Sequence, residues 1–173
     1  MAAELFEKYG EFDSAEEINE AAAGQLEEGD TTALNEIARE NGIVKQDVLD
    51  YIDGYNDTLT TPIDAAWGKI DVEADYLGID DEHAYIDWCD WMKRECTEDE
   101  EFCKAVRKKG KRLSGAFGMI LNAAAGKRKP IHEDILKAAG WNHGRVESSE
   151  LPMREIQEII RKYYLGGKQD EAN

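Results

Sequence analysis

The chain has 173 residues, of which 42% are hydrophobic and 34% charged, with only 3 prolines and a formal net charge of −17. A chain of that length buries roughly 70% of the surface its unfolded form exposes, so a core needs neither disulfide nor metal staples. The composition excludes long disordered tracts, and no run approaches the roughly 18 apolar residues of a membrane span. The first residues, Met1 to Glu7, carry no basic leader followed by an apolar run, so a cytoplasmic protein is expected.

Charge is segregated along the chain. Residues 1–101 hold 30 acidic and 6 basic side chains, a net of −24, whereas residues 102–173 hold 8 acidic and 15 basic ones, a net of +7. Polarity of this kind bears on partners and on association, and says little about fold.

In chain order, the pattern predicts a succession of short helices. Ser14 and Glu17 have capping-box spacing and open a helix with Ile18, Ala21, Ala22 and Leu26 on one face, ending at Gly29. Thr31 or Thr32 caps the next, with Leu34, Ile37 and Ala38 inward and a stop at Asn41-Gly42. A third uses Val48, Leu49 and Ile52 and ends at Gly54. Thr61-Pro62 reads as an N-cap with proline at the first helical position, opening a helix that runs to Leu77-Gly78. Asp80 or Asp81 starts another, carrying Tyr85, Trp88, Trp91 and Met92, and the capping-box signal at Thr97 to Glu100 breaks it. Leu113, Phe117, Ile120, Leu121 and Ala124 form an apolar stripe; Ile131 to Ala139 make a shorter helix; Met153, Ile156, Ile159, Ile160 and Tyr163 mark the last. No segment alternates at period two, so no sheet is expected. The reading is all-α, a compact bundle of about eight or nine short helices. The polar joint at Gly78 to Asp81 divides it into an acidic subdomain, residues 1–78, and a subdomain with a basic patch, residues 79–165; residues 166–173 lack apolar anchors and form a fraying tail.

Chemistry-bearing motifs are sparse. Cys89, Cys96 and Cys103, with His83, invite a zinc reading, yet structural zinc sites use short two-ligand hooks that are absent here, and buried thiols fit better. Asp71, Glu73, Asp75 and Glu82 match positions of a calcium loop, but Tyr76 stands where the sharp turn requires glycine. His83, His132 and His143 lie far apart, and Gly140-Trp141-Asn142-His143-Gly144 has neither the lysine nor the spacing of a phosphate loop. No metal or cofactor is expected, and no catalytic residue.

The stretch Ile37 to Ile43, followed by Val48, has the spacing of a helix-turn-helix or of a plain helical hairpin. Its second helix exposes Gln46, Asp47, Asp50 and Asp53 beside a single Lys45, and carboxylates there repel phosphate, so DNA is not its partner. Together with Asp57 and the cluster Asp80, Asp81, Glu82, Asp87 and Asp90, these carboxylates are the candidate surface for a cationic macromolecule. Trp88 and Trp91 within that cluster are either core residues or interface anchors. Lys104, Arg107, Lys108, Lys109, Lys111 and Arg112 place six cations in nine positions, echoed by Lys127, Arg128 and Lys129. They either hold nucleic-acid phosphate or compensate the acidic half internally.

Two stretches carry a resemblance. Phe12 to Asn19, through Glu40 to Ile43 and on to Asp50-Tyr51-Ile52-Asp53-Gly54, resembles small proteins of conjugative elements, plasmids and prophages of gut Firmicutes. Asp99 to Cys103, through Lys111 to Phe117, is similar to the PcfK-like proteins of the same elements, a group that includes anti-CRISPR inhibitors of the type II effector nuclease. The resemblance carries over no functional residue. It implies an inhibitor that binds the type II nuclease or its guide RNA complex, for which the acidic clusters read above are the candidate surface, with no catalysis expected; the alternative is a nucleic-acid-binding accessory protein of such an element, for which the basic run is the candidate surface.

Overall fold

The computed structural model describes residues 5–141 and 144–166. Asn142 and His143, singled out above, and all of the expected tail except Gly166 lie outside the described residues. The described chain is mostly helical: α1 Ala15–Glu27, α2 Thr31–Glu40, α3 Lys45–Ile52, α4 Pro62–Tyr76, α5 Ile86–Glu98, α6 Glu100–Arg107, α7 Leu113–Ala125, α8 Glu133–Ala138 and α9 Met153–Leu165. A two-stranded antiparallel pair, β1 Lys129–Pro130 and β2 Glu147–Ser148, flanks α8 and corrects the expectation of no sheet. Two-residue strands are too short to display any alternation, and their partners are far apart in sequence.

Local hydrogen bonding explains where the helices start. Ser14 caps α1, its hydroxyl accepting the Glu17 N–H at 3.2 Å, while the Glu17 carboxylate takes the Asp13 N–H at 2.7 Å. Thr61 caps α4 with Pro62 in its first turn. Three expected starts move. Asp30 caps α2 in place of either threonine, accepting the Ala33 N–H at 2.9 Å. Asp99 caps α6 in place of Thr97, whose hydroxyl donates to the Arg94 carbonyl inside α5. Asp80 and Asp81 start no helix: the Asp80 carboxylate takes the Glu82 N–H at 3.1 Å and His83 Nδ1 takes the Tyr85 N–H, side-chain bonds that compete with helix, so α5 begins at Ile86.

Two apolar clusters form the interior. Ile18, Leu34, Ile37, Val48, Tyr51 and Leu59 pack with Ala65 in the N-terminal one. The larger gathers Ala66, Ile70, Met92, Phe102, Leu113, Phe117, Ile156 and Ile160 from α4 to α9. Full burial of each large side chain contributes roughly 1.5–3 kcal/mol. The change of cluster falls between Ala65 and Ala66, inside α4, so that helix belongs to both and packs on α5 and α6 as well as on α1. Within α7, Leu113, Phe117 and Ile120 of the expected stripe are buried and Ala116 joins them, while Leu121 is exposed and Ala124 half-buried. No helix of the described residues is long and apolar enough to cross a membrane.

Candidate functional site

The α2–turn–α3 unit is built as a close crossing. Gly42 turns the chain at φ +67°, with Ala38, Ile43 and Val48 buried around it. A Cβ on Gly42 would overlap the backbone of Gly68 in α4, and one on Gly68 would overlap the Asn41 carbonyl. The two glycines therefore let α4 lie against the turn and fix α3 beside it. Val48 and Tyr51 take the inner side of α3. Leu49, expected inward, falls about 100° away and is 43% exposed. Its outer strip carries Asp47, Asp50 and Asp53 at three-residue steps, so they run along one side of the helix. Burial first, then the neighbouring carboxylates of Asp64 and Asp50, push the Asp47 carboxyl above the ordinary value. Asp64, in the first turn of α4, thus extends the acidic strip, a neighbourhood that sequence distance hid.

The second acidic cluster is placed differently. Asp80, Asp81 and Glu82 are exposed in the turns before α5, and Asp87 and Asp90 point outward from α5 itself. Trp88 and Trp91 pack against the larger apolar cluster, with the Trp88 ring stacked on Tyr85 at 4.3 Å. Asp87 and Asp90 border an open groove of about 700 Å³ together with Trp67, Lys93, Arg94 and Met153. The Trp67 indole N–H is held by the Lys93 carbonyl at 2.9 Å.

Counter-charges decide which of these groups are free. Asp47, Asp50, Asp53, Asp57, Asp80, Asp81, Glu82, Asp87 and Asp90 form no ion pair with a described residue. Much of the basic run is engaged within the chain, partly at the surface. Lys104 pairs with Glu100 one turn away. Arg107, 2% exposed, donates to Asn41 Oδ1 at 2.6 Å. Asp13 takes the Lys108 ammonium and the Lys109 N–H, both at 2.9 Å, and the latter bond leads in holding its carboxyl below the ordinary value. Lys111 donates to the Tyr163 carbonyl at 3.0 Å, and Arg112 meets Glu11 at 2.9 Å and Glu73 at 3.5 Å. Lys127 pairs with Glu155, whereas Lys109, Arg128 and Lys129 make no ion pair with a described residue. Internal compensation thus describes Lys104, Lys108 and Arg112, Arg107 is buried against Asn41, and Lys109 and Lys111 keep their charge without a carboxylate partner among the described residues.

The same contacts build a buried polar centre. Lys69, 1% exposed, lies 2.6 Å from Glu11, 3.8 Å from Glu73 and 2.7 Å from the Lys108 carbonyl. Burial pulls Lys69 down and pushes Glu73 up, each partner opposing the other's shift, and burial brings Arg107 down to about 10. A cavity of about 140 Å³ between the start of α1 and the end of α6 is lined by Asp13, Glu16, Lys104, Arg107 and Lys108 among others, with charges of both signs.

The three thiols are buried, and Cys89 is pushed up to about 12 by burial, far from a nucleophile's range. Asp71, Glu73 and Asp75 lie on a continuous helix, Glu73 facing inward, so they do not encircle an ion. Among the described residues no group of three His, Cys, Asp or Glu side chains is arranged to hold a metal. Compared with known proteins, the chain matches no family model, no curated protein and no solved structure.

Proposed function

We propose that this chain is a stoichiometric inhibitor, carried by a mobile element and acting in the bacterial cytoplasm, that binds a type II RNA-guided effector nuclease and blocks DNA recognition or cleavage. The observation that carries the reading is the imbalance of free charge: the nine candidate carboxylates form no ion pair with a described residue, while Lys104, Lys108 and Arg112 of the basic run are each paired with a carboxylate and Arg107 is buried. An effector of that type presents cationic channels for guide, target and adjacent duplex, and a rigid anionic helical surface is attracted to such channels. The partial likeness to PcfK-like proteins supplies the target class. The alternative, an accessory protein binding nucleic acid through Lys104 to Arg112, is left with Lys109, Lys111, Arg128 and Lys129 as the candidate cations that are neither buried nor ion-paired with a described residue, against a net charge of −17.

Co-elution on a sizing column tests the reading. Purified protein and guide-loaded nuclease co-elute at low salt, and the complex weakens as the Debye length shortens from about 10 Å toward 3 Å between 0.1 and 1 M salt. Separate elution at low salt overturns the proposal. Retardation of free duplex or RNA by the protein alone supports the accessory role instead.

A further inference from the structure

We infer that the outer face of α3 with the first turn of α4 is itself a docking surface, and that its occupant is a basic amphipathic segment of a protein, one that brings apolar side chains as well as lysines or arginines. The inference rests on the proposed function and names the face and the chemistry of the partner.

Three observations converge on it. Large apolar side chains are exposed in the same stretch as the unpaired carboxylates: Tyr55 at 80%, Val44 at 61%, Leu49 at 43% and Ile63 at 37%. A scattered exposed leucine needs no account, but four such residues within 20 positions, bordering an acidic strip, have the anatomy of an apolar contact with a polar rim. The face is also held in place. Asp50 O accepts the Tyr55 N–H at 2.8 Å and the Asn56 N–H at 3.2 Å, which folds the chain back over the end of α3. Asn19 and Thr60 exchange two bonds of 3.0 Å, pinning the base of the following loop to α1. Rigid surfaces lose less entropy on binding.

Charge chooses the occupant. Asp47, Asp50, Asp53 and Asp64 offer nothing to phosphate, and Lys45 is the single cation on α3. A purely cationic ligand would leave Leu49 and Tyr55 wet, and a purely apolar one would bury the carboxylates unpaired at a cost of several kcal/mol. A segment with both kinds of side chain satisfies both.

Two sets of variants separate the contributions: Asp47 and Asp50 are half-buried, Asp53, Leu49 and Tyr55 are exposed, and none belongs to either apolar cluster. Asp47→Asn/Asp50→Asn/Asp53→Asn is expected to flatten the salt dependence of binding to guide-loaded nuclease. Leu49→Ala/Tyr55→Ala is expected to weaken binding about tenfold or more with the salt dependence retained. Glu27→Gln/Glu28→Gln, at the exposed end of α1 and outside the candidate surface, is the comparator and is expected to bind within about threefold of the unmodified protein. If the nuclease binds and the α3 variants match the unmodified protein, this face is wrong while the proposed function stands. If the nuclease does not bind at all, the functional reading falls. The face is then decided by isotope-labelled protein titrated with a synthetic lysine–leucine amphipathic helix. Shifts confined to residues 44–64 support it, and shifts elsewhere or none overturn it.

Discussion

Single residues in this molecule carry opposite consequences for the same substitution. Gly42 sits at φ +67° against Gly68, so an alanine at either site meets backbone rather than a yielding side chain. Gly42→Ala and Gly68→Ala are each expected to cost roughly 2–5 kcal/mol in urea unfolding, from strain and overlap together. Gly24, inside α1 with ordinary φ and nothing within 4 Å of an added Cβ, behaves the other way. Gly24→Ala is expected to gain about 0.5–1 kcal/mol, and a loss there would mean that the environment of α1 is misdescribed. Titration separates residues as sharply. The Asp13 and Asp99 carboxyls are held below the ordinary value, chiefly by the N–H groups of Lys109 and Phe102. The folded state therefore favours their ionised forms, and their contribution is full above pH of about 4 and lost as pH falls through their lowered values. Asp13→Asn/Asp99→Asn is expected to flatten the acid limb of a stability profile from pH 7 to pH 2.5. Asp47 has the reverse sign. Its raised carboxyl opposes folding once ionised, so Asp47→Asn is expected to stabilise the fold at pH 7 while weakening partner binding, a trade seen at functional positions.

At the scale of elements, the sequence was readable where one helix answers to its own residues. The Ser14 and Thr61 caps, the turn at Gly42 and the breaks before α6 and α7 all follow from local chemistry. It was less readable where a neighbouring element decides. Leu49 and Val48 are equally apolar, and the packing of α3 against α2 and the N-terminal cluster determines which of them turns inward. The acidic strip was legible in Asp47, Asp50 and Asp53, but Asp64 joins it from another helix, which no local pattern announces. Helix α7 is a further case. Arg112 gives it no side-chain cap, and the missing acceptor comes from α4, where Glu73 takes the Leu113 N–H at 2.7 Å while also facing Lys69 and Arg112. Removing that carboxylate leaves the Leu113 N–H without its acceptor and leaves Lys69 and Arg112 to share Glu11. Glu73→Ala is expected to cost about 3–5 kcal/mol, with the amides of the first turn of α7 among those whose hydrogen exchange accelerates most. Unchanged exchange there would show that α7 starts without help from α4.

For the molecule as a whole, the two halves are electrically opposite in sequence and partly neutralise each other in space. The neutralisation runs from Glu11, Asp13 and Glu73 to Lys108 and Arg112 of the rear half, with Lys69 of the front half buried among them, leaving the α3 and α5 faces anionic. The segregation along the chain thus becomes a division of labour: cations of the rear half stabilise the interior junction, and carboxylates of the front half remain available to a partner. Reversing the charge of Arg112 therefore tests folding before it tests binding, because the new carboxylate would face Glu11 and Glu73. The most direct test of the account is a cleavage titration, with guide-loaded type II nuclease held fixed and this protein increased from substoichiometric amounts. Cleavage is expected to fall in proportion to added protein and to stop near one equivalent; undiminished cleavage at a large molar excess would contradict the account.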